Sequence, residues 1–135
     1  MVRSNVLTQI SLFAENKPGR MLSVFKTLVD ANVEVLAFTI AEAGTFGVFH
    51  LITDDPEITY KSLTDAGFTV SKTDVLGIEL DDFQKGLYWI SDTLAKEGIS
   101  VDYAYTSISK GETPYLVMRV SDVEAAKKVF ENLIR

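Results

Sequence analysis

Two stretches of this 135-residue chain carry one order of patterns at an offset of about 66 residues, and no other feature limits the fold as strongly. In the first half, Val6, Thr8, Ile10 and Leu12 alternate with Leu7, Gln9, Ser11 and Phe13, the period of a strand. A polar turn with Pro18 and Gly19 follows, and Pro18 suits the first turn of a helix, where its missing N–H costs nothing. Leu22, Phe25, Leu28 and Val29 then recur at helical spacing until Asp30, Ala31 and Asn32. The run VEVLAFTIAEAGTFGVFHLIT is rich in β-branched and aromatic residues, and its step at Ala43 to Thr45 divides it into a hairpin. After Asp54, Asp55 and Pro56 a second helix runs to Ala66, with Gly67 placed to cap it, and FTVSKTDVLGIEL is extended again.

The second half repeats this order. VLGIEL is a strand and DDFQKG takes the place of the turn. Leu87, Ile90 and Leu94 mark a helix that Gly98 ends. ISVDYAYTSI and PYLVMRV are strands separated by Ser109 to Thr113, and Val123, Ala126, Phe130 and Leu133 mark the last helix. In register, Leu28 falls on Leu94, Val33 on Ile99 and Val35 on Val101, while DDPE at Asp54 to Glu57 answers SDVE at Ser121 to Glu124.

A βαββαβ unit folds as a four-stranded antiparallel sheet with two helices on one face. The chain is therefore expected to be an α+β protein of two ferredoxin-like βαββαβ modules in tandem, residues 1–73 and 74–135, the second lacking its last strand because the sequence stops just after its helix. An uncovered edge invites pairing with another chain. FTVSKTDVLGIEL also leaves almost no linker between the modules, so they are expected to be tightly coupled, with two chains associating as a homodimer to complete the pairing.

Composition narrows the function. The net charge of −6 argues against nucleic acid, which needs a basic face. With no cysteine, thiolate metal sites, disulfides and a cysteine nucleophile are excluded. The first residues alternate and lack the apolar run of a signal peptide, and no stretch approaches the roughly 20 apolar residues of a membrane span. A soluble, cytoplasmic protein is expected, with no membrane partner. His50 is the only histidine and is read as a sheet-surface residue. Glu79, Asp81 and Asp82 are the densest acidic group, a weak signal for Ca²⁺, and the chain is expected to hold no metal and no cofactor.

ISLFAENKPGRMLSVFKTLVDANVEVLAF resembles the opening of an ACT domain, the small ligand-binding module attached to many enzymes of amino-acid metabolism. VLGIELDDFQKGLYWISDTLAKEGISVDYAY is similar to a more divergent copy, so the resemblance covers almost the whole chain. It implies a regulatory protein without a catalytic domain that binds an amino acid or similar molecule, usually at the interface between two ACT modules. Glu15, Asn16, Pro18 and Gly19 match the EN-x-PG pattern whose asparagine holds serine in the ACT domain of 3-phosphoglycerate dehydrogenase. Ala14 and Glu34 stand where that enzyme has a histidine and a second asparagine, which puts serine itself in question.

Physical chemistry supports the same turn. A helix N-terminus offers unpaired N–H groups and partial positive charge to a carboxylate. Gly19 lets a ligand approach the backbone, and Asn16 offers a donor and an acceptor. The candidate ligand-binding residues are Asn16, Lys17, Pro18, Gly19, Arg20 and Met21 at this turn. Phe38 joins them from the next strand, and Asp82, Gly86, Leu87 and Tyr105 from the second copy. In register Asp82 answers Asn16, Gln84 answers Pro18 and Lys85 answers Gly19, so the second turn either reads an ammonium group or is structural only. Each feature has a plainer reading. Pro-Gly before a helix is a good turn, Asn16 is a good N-cap, and Lys17 and Arg20 are ordinary solvated charges. Tyr88, Trp89, Tyr103 and Tyr105 are core or interface aromatics, or part of an apolar pocket.

Two other classes compete. Acylphosphatases share the βαββαβ layout and hold phosphate with an arginine near Arg20, but the loop here lacks their run of glycines, and no catalytic motif is present. The small regulatory subunit of acetolactate synthase opens with a similar ACT domain, which makes an assembly subunit of an amino-acid biosynthetic enzyme the alternative.

Overall fold

The computed structural model describes residues 2–107 and 114–132. The expected loop at Ser109 to Thr113 and the helical position Leu133 lie outside them. Strand β1 spans Val2–Glu15, helix α1 Arg20–Asp30, β2 Val35–Ala43, β3 Phe46–Thr53 and α2 Pro56–Asp65. These are followed by β4 Thr69–Leu80, α3 Phe83–Lys96, β5 Val101–Thr106, β6 Tyr115–Val120 and α4 Val123–Asn132. Two expectations are corrected. β1 begins four residues before the alternation at Val6, and FTVSKTDVLGIEL is a single strand from Thr69 to Leu80, not two strands with a short join. Among the described residues no helix is long and apolar enough to cross a membrane.

The chain divides into two compact units, Thr8–Thr73 and Met1–Leu7 with Asp74–Arg135. In the first, strand order is β2-β3-β1-β4. β1 runs antiparallel to β3, with Ile10 opposite Leu51 and Leu12 opposite Phe49, and β2 runs antiparallel to β3 with an irregularity between Val35 and Ala37. Alternation sends Ile10, Leu12 and Ala14 to the face where Val24 and Leu28 of α1, Leu63 of α2, Phe49 and Leu51 close the core. Full burial of each large side chain contributes about 1.5–3 kcal/mol. The alternate positions of β1 make a polar cluster. Gln9 Nε2 donates to Ser11 Oγ at 3.0 Å, and His50 Nδ1 lies 3.1 Å from Gln9 Nε2 and 2.9 Å from Ser11 Oγ. His50 is therefore half-buried within a hydrogen-bonded group on its strand face.

In the other unit the order is β1-β4-β6-β5. Leu76, Ile78 and Leu80 of β4, Ile90 and Leu94 of α3, Leu116, Met118 and Val120 of β6, and Ala126 and Phe130 of α4 form its core. The fourth strand missing from the end of the second copy is supplied from the start of the chain. Residues 2–7 belong to this unit, and β1 stands next to β4. The expected division at 73/74 leaves these residues with the first module, whereas here they group with Asp74–Arg135. The edge that seemed to require a second chain is thus paired within one chain. Gly77 makes room for this strand, because a Cβ there would lie 2.6 Å from Leu7 Cδ1.

Candidate functional site

Four residues, Asn16 to Gly19, join β1 to α1. The Asn16 N–H donates to the Thr45 carbonyl at 2.8 Å, tying the turn to the tip of the β2–β3 hairpin. The Lys17 N–H donates to Glu15 O at 2.9 Å and the Arg20 N–H to Lys17 O at 3.3 Å. Gly19 is the N-cap, at φ 91° and ψ −10°, in the left-handed region where a Cβ is costly. Among the described residues, its chain neighbours aside, no atom lies within 4 Å of where that Cβ would be, so the constraint on Gly19 is its backbone angle.

Two readings of the turn change. Pro18 precedes the cap and is not in the first helical turn, and Asn16 does not cap α1, whose N-terminus has no side-chain cap hydrogen bond among the described residues. The other three helices each have one. Asp55 accepts from Ile58 N–H at 3.1 Å, Asp82 from Lys85 N–H at 3.1 Å and Asp122 from Ala125 N–H at 3.0 Å. The first-turn N–H groups of α1 are the ones no carboxylate covers. Lys17 Nζ lies 3.1 Å from Glu15 Oε2. That hydrogen bond and the Lys17 charge, with a smaller contribution from Arg20, hold the Glu15 carboxyl below its usual pKa.

Beside the turn is a cleft of about 340 Å³. It is lined by Phe13, Ala14 and Glu15 of β1, Arg20, Ser23 and Thr27 of α1, Phe46 of β3, and Ala66 to Thr69 where α2 passes into β4. The Arg20 Nε–H is buried and has no hydrogen-bond partner among the described residues. Ser23 Oγ donates to Gly19 O at 3.0 Å and Thr27 Oγ1 to Ser23 O at 2.9 Å, so both hydroxyl oxygens keep lone pairs for an outside donor. Phe13 and Phe46 are 49% and 46% exposed, unusual for aromatics in a close-packed unit.

Of the sequence candidates, Arg20 alone lines this cleft. Asn16, Lys17, Pro18, Gly19 and Met21 form the exposed turn and first helical residue next to it. Phe38 belongs to β2, its ring edge-on to Phe25 with centroids 5.4 Å apart. Asp82, Gly86, Leu87 and Tyr105 belong to the other unit. There only Asp81 and Asp82 separate β4 from α3, so that turn is tighter and its helix end already carries a carboxylate. Gly86 faces Leu80, whose Cδ2 would lie 2.9 Å from an added Cβ, which gives this glycine a packing role. The Tyr105 ring stacks on Tyr103 at 6.5 Å, and burial, then the neighbouring Tyr103 and Tyr115, raise its pKa. Leu87 is exposed on α3. Sequence reasoning missed Ser23 and Thr27. Their signal was their spacing of three and seven residues from Arg20, a polar stripe beside the apolar one.

A family described as an ACT domain pair matches residues 5–134. A protein of known structure from Bacteroides thetaiotaomicron is 31% identical, with a TM-score of 0.82 over 96% of this chain and 89% of that one. The ligand-free regulatory subunit of aspartate kinase from Thermus thermophilus is 14% identical, with a TM-score of 0.67 over 99% of this chain and 97% of that one. The corresponding subunit from Thermus flavus is 16% identical, with a TM-score of 0.62 over 97% and 95%. At these identities the likeness to the kinase subunits is one of fold. No curated protein matches the chain significantly.

Proposed function

Because the chain belongs to the ACT domain-pair family, we propose that it is a non-catalytic regulatory protein that binds a small molecule, an amino acid first of all, at the turn opening its first module. The observation that carries this reading is the uncapped N-terminus of α1 behind Gly19. A ligand carboxylate there gains the first-turn N–H groups of Met21 and Leu22 and the positive end of the helix dipole. Asn16 supplies a side-chain amide beside it, and Lys17 and Arg20 supply positive charge. The Asn16 to Thr45 bond makes the hairpin tip part of the response, since a ligand that stiffens the turn stiffens what it is bonded to. The likeness to regulatory subunits of aspartate kinase makes an enzyme of amino-acid metabolism in the cytoplasm the partner class to seek.

The test is thermal stability against the twenty amino acids. A ligand at 100 times its Kd adds about 2.7 kcal/mol. A shift with one chemical class, reduced in Asn16→Ala, supports the reading, and the absence of any shift counts against it. A second reading, an assembly subunit without a ligand of its own, is favoured by β2 at the edge of its unit with Phe38 and Ile40 exposed, and by exposed Met21, Leu22 and Val29 on α1. Co-purification with a larger enzyme, such as an acetolactate synthase, in the absence of any amino-acid response favours that reading. The homodimer expected from the sequence loses its stated reason, since the strand edge is paired within one chain, and light scattering at micromolar concentration tests whether two chains associate all the same.

A further inference from the structure

The cleft beside α1 places three kinds of group around a volume of about 340 Å³, at the small end of ligand pockets. The first is a cation with a buried donor to spare. The Arg20 Nε–H has no acceptor among the described residues, and a buried donor without one is costly. A planar guanidinium with a free edge matches a carboxylate. The second is a set of acceptors: the Ser23 and Thr27 hydroxyl oxygens, the Glu15 carboxylate, and the C-terminal end of α2 at Ala66 and Gly67, where the helix dipole is negative. Together they suit an ammonium group. The third is apolar: Phe13, Phe46 and Phe68.

We propose that this cleft is a binding site for a free α-amino acid with an apolar side chain. Its carboxylate lies on Arg20, its ammonium against Ser23, Thr27 and Glu15, and its side chain among the three phenylalanines. The proposal rests on the amino-acid-binding reading above and moves the ligand from the exposed turn into the cleft, where both ends of a zwitterion and its side chain find partners within one unit. Neutral Ser23 and Thr27 hydroxyls suit the ammonium better than a second arginine or lysine, which the cleft lacks.

Titration calorimetry on the full chain with L-phenylalanine, L-leucine, L-serine, L-aspartate, phenylalaninamide and phenylpyruvate tests this. Phenylalanine or leucine is expected to bind, and the two polar amino acids to bind at least tenfold more weakly. The amide, which lacks the carboxylate, and the 2-oxo acid, which lacks the ammonium, are each expected to lose roughly tenfold or more. Arg20→Gln is expected to weaken binding by a similar factor. Ser23→Phe, at an exposed helix position, is expected to fill the cleft and abolish binding while leaving the circular dichroism unchanged. An amino acid that binds Arg20→Gln and Ser23→Phe as tightly as the unaltered chain, but not Asn16→Ala, overturns the cleft and leaves the proposed function standing. Equal affinity for polar and apolar amino acids overturns the side-chain assignment. Failure of L-phenylalanine and L-leucine to bind overturns the cleft, and failure of all twenty amino acids to shift the thermal transition overturns the proposed function as well.

Discussion

Replacing Gly77 by alanine tests whether the start of the chain completes the second module. A Cβ at Gly77 would fall 2.6 Å from Leu7 Cδ1, 3.2 Å from Leu7 Cγ and 3.8 Å from Tyr115 Cδ2. Carbon atoms prefer about 3.5–4.0 Å, so Leu7 must retreat by about 1 Å. Overpacking of this kind costs about 1–3 kcal/mol, toward the low end here because the crowded atom is the end of the flexible, half-buried Leu7 side chain, and the stiffer unfolded chain returns about 0.4–1 kcal/mol, so Gly77→Ala is expected to be destabilised by up to about 2 kcal/mol. Leu7→Ala removes a half-buried side chain and is expected to cost about 1–2 kcal/mol, below the range for a fully buried leucine. Because the second change removes the clash created by the first, the double variant is expected to cost less than the two singles together. Urea unfolding followed by tryptophan fluorescence is suited to this. Trp89 is the only tryptophan, and its ring lies 5.7 Å from Phe130 in the same unit. A 1–2 kcal/mol loss lowers the midpoint by about 0.5–1 M. Strict additivity of Gly77→Ala with Leu7→Ala would refute the placement of Leu7 against β4.

Gly86→Ala is expected to destabilise by up to about 2 kcal/mol in thermal melts, because buried Leu80 crowds the new methyl, yet to stabilise by up to about 1 kcal/mol in a Leu80→Ala background, where helix propensity alone remains. Asp82→Ala is expected to cost about 0.5–2 kcal/mol through the lost bond to Lys85 N–H, read by chemical denaturation. Burial raises the pKa of both Tyr105 and Tyr115, so the fold favours their neutral forms. Their contribution is complete below the unfolded tyrosine pKa of about 10 and is lost as pH rises through the folded values. Spectrophotometric titration should show these two ionising late, in their ordinary range once urea is added, and Tyr105→Phe should remove one of them.

The opening turn shows how far residue types alone carry. Pro18 and Gly19 marked a break between strand and helix, and the break is there, but the plainer roles proposed for Asn16 and Pro18 depended on where the helix begins. The left-handed Gly19 sets that point at Arg20, one residue beyond the cap. Asp82, by contrast, stands directly before its helix and caps it, as aspartate commonly does. The cleft was only half legible. Arg20, Ser23 and Thr27 share a helix face by spacing, whereas Phe46, Gly67 and Phe68 reach it from other elements, and no local pattern announces that meeting.

The order of elements and the tandem repeat were determined by the sequence itself, because alternation and helical spacing are local consequences of which side chains must leave water. Ile10, Leu12, Leu28 and Leu94 were legible in that way and are buried, whereas Leu22 and Val29, named on the same helical spacing as Leu28, are 71% and 74% exposed. Which strand fills the fourth place beside β4 was decided only in three dimensions. Strand pairing is made by backbone N–H and C=O groups that every residue carries, so the short, partly polar start of β1 bears no mark of its partner. Gly77 opens the space, Leu7 occupies it, and the two lie seventy residues apart in the chain.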